Sequence, residues 1–149
     1  MSYKEKAIEL FKEGYNCAQA VFLAFEDVTG IDKETAAKLS SSFGGGMGRM
    51  REVCGAVSGM FMVLGCLYGY DDPKATTEKM DHYVLIRETA DKFKAETGSI
   101  ICREILAGAE VGGTPEERTE QYYKKRPCAE YVGMCAEIVE NYINERGTK

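Results

Sequence analysis

Val53-Cys54-Gly55-Ala56-Val57-Ser58-Gly59-Met60-Phe61-Met62-Val63-Leu64-Gly65-Cys66-Leu67-Tyr68-Gly69-Tyr70 is the most apolar stretch of the chain. Its length is borderline for a membrane span. Gly55, Ser58, Gly59, Gly65 and Gly69 dilute its hydrophobicity, and amphipathic segments flank it. The stretch therefore reads as a buried helix, roughly Glu52 to Gly69, apolar on all sides and central to its fold. Gly55/Gly59 and Gly65/Gly69 are both GxxxG pairs, and small residues at that spacing let helices approach closely. With the many amphipathic helices, these pairs suggest a homodimer.

Outward from this segment the sequence punctuates itself as helices. Ser2 with Glu5 makes a capping-box start, Ile8, Phe11 and Tyr15 follow at helical spacing, and Gly14 is a stop or kink. Asn16 caps a second helix whose Ala18, Val21, Phe22 and Phe25 form a buried face, with Gly30 as its end. Asp32 caps a helix through Ser40, and the loop Gly44-Gly45-Gly46-Met47-Gly48 follows. Asp72-Pro73 predicts the start of a long helix to about Glu96, with Gly98 past its end. Ser99 predicts a short helix through Leu106. Thr114-Pro115 with Glu117 predicts another start, Arg126-Pro127 interrupts it, and a last helix runs to about Glu145. Strand alternation is absent. The expected fold is all-α: one helical domain over 1–149, a bundle of about six or seven helices.

A chain of 149 residues fits one domain and can bury a core without staples. With 44% hydrophobic and 29% charged residues it has ordinary globular composition. A net charge of -5 argues against nucleic-acid binding through a basic face. The N-terminus carries acidic residues and no apolar signal region, so the expected location is cytoplasmic, without membrane insertion. In that compartment thiols stay reduced, and clustered cysteines favour redox chemistry or metal binding over structural bridges.

There are 6 cysteines. Cys17, Cys54, Cys102 and Cys128 fall in the first turns of four predicted helices. A helix N-terminus carries unpaired N–H groups and partial positive charge, which stabilise a thiolate. A thiolate attacks disulfides and also ligates metals. Cys66 and Cys135 lie inside helices among apolar neighbours and read as packing residues, Cys135 also as a resolving thiol or fifth ligand. No CxxC occurs, which excludes zinc-ribbon, bacterial ferredoxin and thioredoxin-type spacings. Four dispersed thiols can still meet in a bundle.

Cys54-Gly55-Ala56-Val57-Ser58-Gly59 resembles the CGAxxG motif of the C_GCAxxG_C_C family of putative redox-active proteins. Cys17 matches the cysteine before the motif, and Cys102 and Cys128 match the two after it. Gly44 to Gly48 is similar to the family's glycine-rich approach. The resemblance covers nearly the whole chain. It implies a redox role, and related domains fused to electron-transfer modules imply an iron–sulfur cluster. Genes near transporters imply a service role to one. Cys66 and Cys135 are additions to the pattern.

Gly44, Gly45, Gly46 and Gly48, with Gly55, are candidate cofactor-contacting glycines: they offer backbone N–H groups to an anion, or allow tight approach to the cysteine site. The loop lacks a Walker lysine and a preceding strand. His82 is the single histidine and reads as a surface or interface residue. Met47, Met50, Met60 and Met62 read as core packing.

The sequence thus predicts a cysteine-dependent redox protein, an oxidoreductase if it turns over. Cys17, Cys54, Cys102 and Cys128 exchange thiols with a redox partner protein or a small disulfide, Cys54 attacking, or they ligate an iron–sulfur cluster. The alternatives are a zinc-binding or metal-free sensing module serving a transporter, and a helical interaction domain with structural cysteines.

Overall fold

A computed structural model describes residues 1–147 of the chain, so the last two positions of the expected 1–149 domain lie outside the described residues. The elements are α1 (Tyr3–Lys12), α2 (Cys17–Ala24), α3 (Glu26–Thr29), α4 (Lys33–Ser40), a 3-10 turn (Ser41–Phe43), α5 (Gly44–Met47), α6 (Gly55–Tyr68), α7 (Thr77–Thr97), α8 (Cys102–Ile105), α9 (Glu120–Lys125) and α10 (Cys128–Arg146). The fold is all-α. Among the described residues the only β pairing is one antiparallel bridge, Val53 with Ile101.

The predicted caps form where the local chemistry is complete. Ser2 accepts from the Glu5 N–H, and Asp32 accepts from the Thr35 N–H. Asn16 accepts from Gln19 N–H while the Gln19 side chain accepts from Asn16 N–H, a reciprocal capping box. Gly30 and Gly98 adopt left-handed conformations after α3 and α7. The predicted single helix from Asn16 to Gly30 breaks at Phe25, whose ring is fully buried and stacks on Tyr3 at 4.2 Å.

Three predicted starts move. Asp72 spends its side chain on the Lys74 N–H, making a turn, and α7 begins later, at Thr77. Ser99 accepts from Ile101 N–H and donates to Glu104, so Ile101 takes the cap position of α8. Thr114-Pro115 opens no helix, and Thr119 caps α9 by accepting from Tyr122 N–H. Arg118 explains the delay: its guanidinium donates to the Phe11 and Tyr15 carbonyls, tying 114–119 down as an extended strap over α1.

α6 is central. Gly55 to Met60, Val63, Leu64 and Leu67 are buried against α2, α7 and α10. Gly59 faces α2 so closely that a Cβ there would lie 2.6 Å from the Ala18 carbonyl oxygen. The first GxxxG pair is therefore filled by α2 of the same chain and offers no dimer face. The second end of α6 opens outward: Cys66 is exposed, which corrects the packing reading, whereas Cys135 is fully buried as expected. Met60 is a core residue, and Met50 is exposed. No helix among the described residues is long and apolar enough to cross a membrane.

Candidate functional site: a cysteine cavity at four helix starts

Cys17, Cys102 and Cys128 are the first residues of α2, α8 and α10, and Cys54 is the cap residue of α6. All four line one cavity of about 60 Å³. Two arrangements bring them together. The first is the Val53–Ile101 bridge, flanked by Cys54 N–H donating to the Ile100 carbonyl at 2.7 Å and Cys102 N–H donating to the Glu52 carbonyl at 2.6 Å. It sets the starts of α6 and α8 side by side. The second is the contact of α2 with α10, which brings Cys17 and Cys128 into the same cavity, near enough that the charge of one thiol acts on the other.

The glycines divide. Gly45, Gly46 and Gly55 line the cavity, and Gly44 and Gly48 do not. Gly55 is needed for close approach, since a Cβ there would meet the Cys17 Cβ at 3.1 Å and the Phe43 carbonyl at 2.9 Å. A Cβ on Gly46 would meet the Cys102 Cβ at 2.7 Å. Gly44 packs on the Asn16 side chain, and nothing lies near Gly48. The segment is also wound the wrong way. Gly45, Gly46, Met47, Gly48, Arg49 and Arg51 all have φ between 58 and 68°. For residues with a Cβ this costs about 1–2 kcal/mol each, and such strain gathers at functional sites. Tertiary hydrogen bonds hold it: Glu52 N–H donates to the Gly46 carbonyl at 2.9 Å, and Arg49 exchanges two bonds of 2.8 Å with Gly112.

The twist turns Arg51 inward. Its side chain is 3% exposed, donating from Nε to the Glu110 carbonyl at 2.9 Å and from Nη1 to Cys102 Sγ at 3.8 Å. Its Nη2 is buried without a partner. Arg118 and Arg126 also line the cavity, with Tyr122 and Tyr131, and no carboxylate does. Arg118 stacks 4.3 Å from the Phe11 ring centroid, and Arg126 pairs with Glu116 outside the cavity.

The thiols respond to this setting unequally. Cys128 is lowered to about 7, first by its interaction with Cys17, then by Arg126, Arg118 and Arg51, against the opposing effect of burial. Cys17, half-buried, is pushed well up, first by its interaction with Cys128 and then by desolvation. Burial pushes Cys54 up to about 12, outweighing the Ala56 and Val57 N–H groups at the start of α6. The helix-start argument alone predicts a lowered value for every one of these thiols. Desolvation overrides it at Cys54, and the neighbouring Cys128 together with desolvation overrides it at Cys17. Among these thiols Cys128 is the one lowered, while Cys54, expected from the sequence to attack, is held up by burial. Cys135 is raised by burial and does not line the cavity.

Among the described residues no three Cys, His, Asp or Glu side chains converge as a ligand set for one metal ion. His82 lies on α7 beside Tyr70 in a separate surface groove. Arg51, Arg118, Arg126, Tyr122 and Tyr131 were not legible as site residues. Arginine near cysteine in sequence, as at Arg51 and Arg126, is too common to be a signal, and Arg118 reaches the site through tertiary folding.

An all-helical bundle with four cysteines at converging helix starts defines a class of thiol-bearing proteins rather than a known enzyme site. The family profile described as "Putative redox-active protein (C_GCAxxG_C_C)" matches residues 15–142, and the chain belongs to that family. No curated protein and no solved structure matches it.

Proposed function

We propose that this redox-active protein works by dithiol/disulfide exchange, with Cys128 as nucleophile and Cys17 as resolving thiol. The observation that carries the reading is that Cys17 and Cys128, each the first residue of its helix, line one cavity together with Arg51, Arg118 and Arg126. The Cys128 thiolate attacks one sulfur of a partner disulfide. The partner S–S bond breaks, and its other sulfur leaves with the electron pair as a thiolate. Cys128, now uncharged in a mixed disulfide, no longer opposes the ionisation of Cys17. Cys17 gives its proton to the released partner thiolate and attacks the Cys128 sulfur, expelling the second partner sulfur as a thiolate that takes a proton from water. Two protein thiols are oxidised to one disulfide, and one partner disulfide is reduced to two thiols. Cys54 and Cys102 line the same cavity as a buried second pair. The location proposed for this chemistry is the cytoplasm, where a reducing pool regenerates the dithiol.

A second reading is favoured by the charge of the cavity. Cys17, Cys54, Cys102 and Cys128 would hold an iron–sulfur cluster, which supplies one-electron transfer, and the arginines would offset its negative charge. Ligation would replace the Cys17–Cys128 interaction. Anaerobic purification with an absorption spectrum and iron, zinc and acid-labile sulfide analysis separates the two. A colourless, metal-free protein with titratable thiols supports exchange. Iron and sulfide in comparable amounts, with visible absorption, overturn it in favour of the cluster.

A further inference from the structure

We infer that Arg51, with Arg118 and Arg126 beside it, makes the cysteine cavity a binding site for a small oxyanion, the group that a substrate presents to the thiols. Arg51 carries the inference. A guanidinium keeps its charge in a protein and presents donors in a rigid fork. Here that fork is buried, one of its donors has no partner, and its contacts are a carbonyl and a sulfur. A buried charge and a buried unpaired donor are both costly. They persist where a ligand completes them.

The local charge agrees. Three guanidiniums line the cavity and no carboxylate does. Glu116 offsets Arg126 from outside. Even with one cysteine ionised, one positive charge remains without a counter-charge among these groups. Size narrows the ligand. About 60 Å³ holds several water-sized atoms. That admits a tetrahedral or trigonal oxyanion and excludes a nucleotide or coenzyme. Gly45 and Gly46, which put no side chain into the space, and Tyr122 and Tyr131 complete the lining.

The site uses the same cavity as the proposed exchange reaction, so in its role as a substrate anchor it rests on that reading. The binding itself does not. Sodium sulfate and sodium phosphate are the probes, titrated calorimetrically into the reduced, metal-free full chain at constant ionic strength. One saturable site is expected for at least one of them, at least tenfold weaker in Arg51→Gln and partly restored in Arg51→Lys, which keeps charge without the fork. Arg126→Gln, at the rim, weakens the same site and serves if the Arg51 variants do not fold. In parallel, the bound anion slows alkylation of Cys128 by iodoacetate. Absence of saturable binding by the wild-type chain, or equal affinity in Arg51→Gln and Arg126→Gln, overturns the inference. Arginine-dependent binding with an unreactive Cys128 upholds the anion site and overturns the exchange reading instead.

Discussion

Cys17 and Cys128 line one cavity at the starts of α2 and α10, and their acidities are shifted in opposite directions, Cys17 up and Cys128 down. Each of these cysteines is the first residue of its helix. Arg126, Arg118 and Arg51 favour the charge on Cys128, while Cys128 itself and desolvation hold Cys17 up. The pair has its asymmetry built in before any partner arrives.

Removing the Cys17 thiol should therefore make Cys128 a weaker acid. Cys17→Ser keeps a donor on a shorter side chain and Cys17→Ala removes it. With Cys128 returning from about 7 toward the ordinary thiol value, its iodoacetamide reactivity at neutral pH is expected to fall by roughly tenfold in Cys17→Ala. Rate against pH for Cys128, followed by mass spectrometry of its peptide, checks this. An unchanged midpoint contradicts the pairing.

Stability should pass through a maximum in mildly alkaline solution under reducing conditions. Cys128 is lowered in the folded chain, so its contribution is full above the unfolded thiol value of about 8.5 and is lost as pH falls through about 7. Cys17, Cys54 and Cys135 are raised. The unfolded chain releases those protons above about 8.5 while the folded chain keeps them, so stability falls as pH rises further. Urea midpoints from pH 6 to 10 test both limbs, and Cys54→Ala should flatten the alkaline one.

The glycines of the central helix should rank by what they touch. Gly59→Ala places a Cβ 2.6 Å from a backbone oxygen of α2, and Gly55→Ala places one 2.9 Å from the Phe43 carbonyl. Each is expected to cost about 1–3 kcal/mol by overpacking. Gly65→Ala meets nothing within 4 Å and should be neutral or stabilising by up to about 1 kcal/mol. Urea unfolding of the three variants gives the order, and equal losses would show that the close crossing of α2 and α6 is not what the motif secures.

Cys135 and Cys66 should behave as non-site residues in opposite ways. Cys135→Ser buries a hydroxyl in a packed apolar core and should cost about 1–3 kcal/mol without altering Cys128 reactivity. Cys66→Ser, on the exposed side of α6, should change stability by less than about 0.5 kcal/mol. Thermal melts and alkylation rates together separate these from the four cavity cysteines.

The fold was legible where one residue's own chemistry decides a helix end. Asn16, Asp32, Pro127 and the glycines at 30 and 98 act locally, and the apolar run of α6 marks the core by hydrophobicity alone. Asp72, Ser99 and Thr114 misled because equivalent local signals were spent elsewhere, on a turn, on Glu104, and on a strap tied to α1 by Arg118. The position of the four thiols at helix starts could be read from caps and prolines. The acid strength of each could not. It depends on burial and on the inward placement of Arg51, Arg118 and Arg126, which the tertiary fold decides. Nor does sequence reveal that Met47, Arg49 and Arg51 take left-handed backbone, a conformation usually left to glycine.

The most direct test of the account is to oxidise the reduced full chain with one equivalent of glutathione disulfide, block free thiols, digest, and map the cross-link by mass spectrometry. The account predicts a Cys17–Cys128 disulfide as the main product, formed through a glutathione adduct on Cys128 that accumulates in Cys17→Ser. A first adduct on Cys54, or Cys17 and Cys128 left as free thiols while other cysteines oxidise, would contradict it.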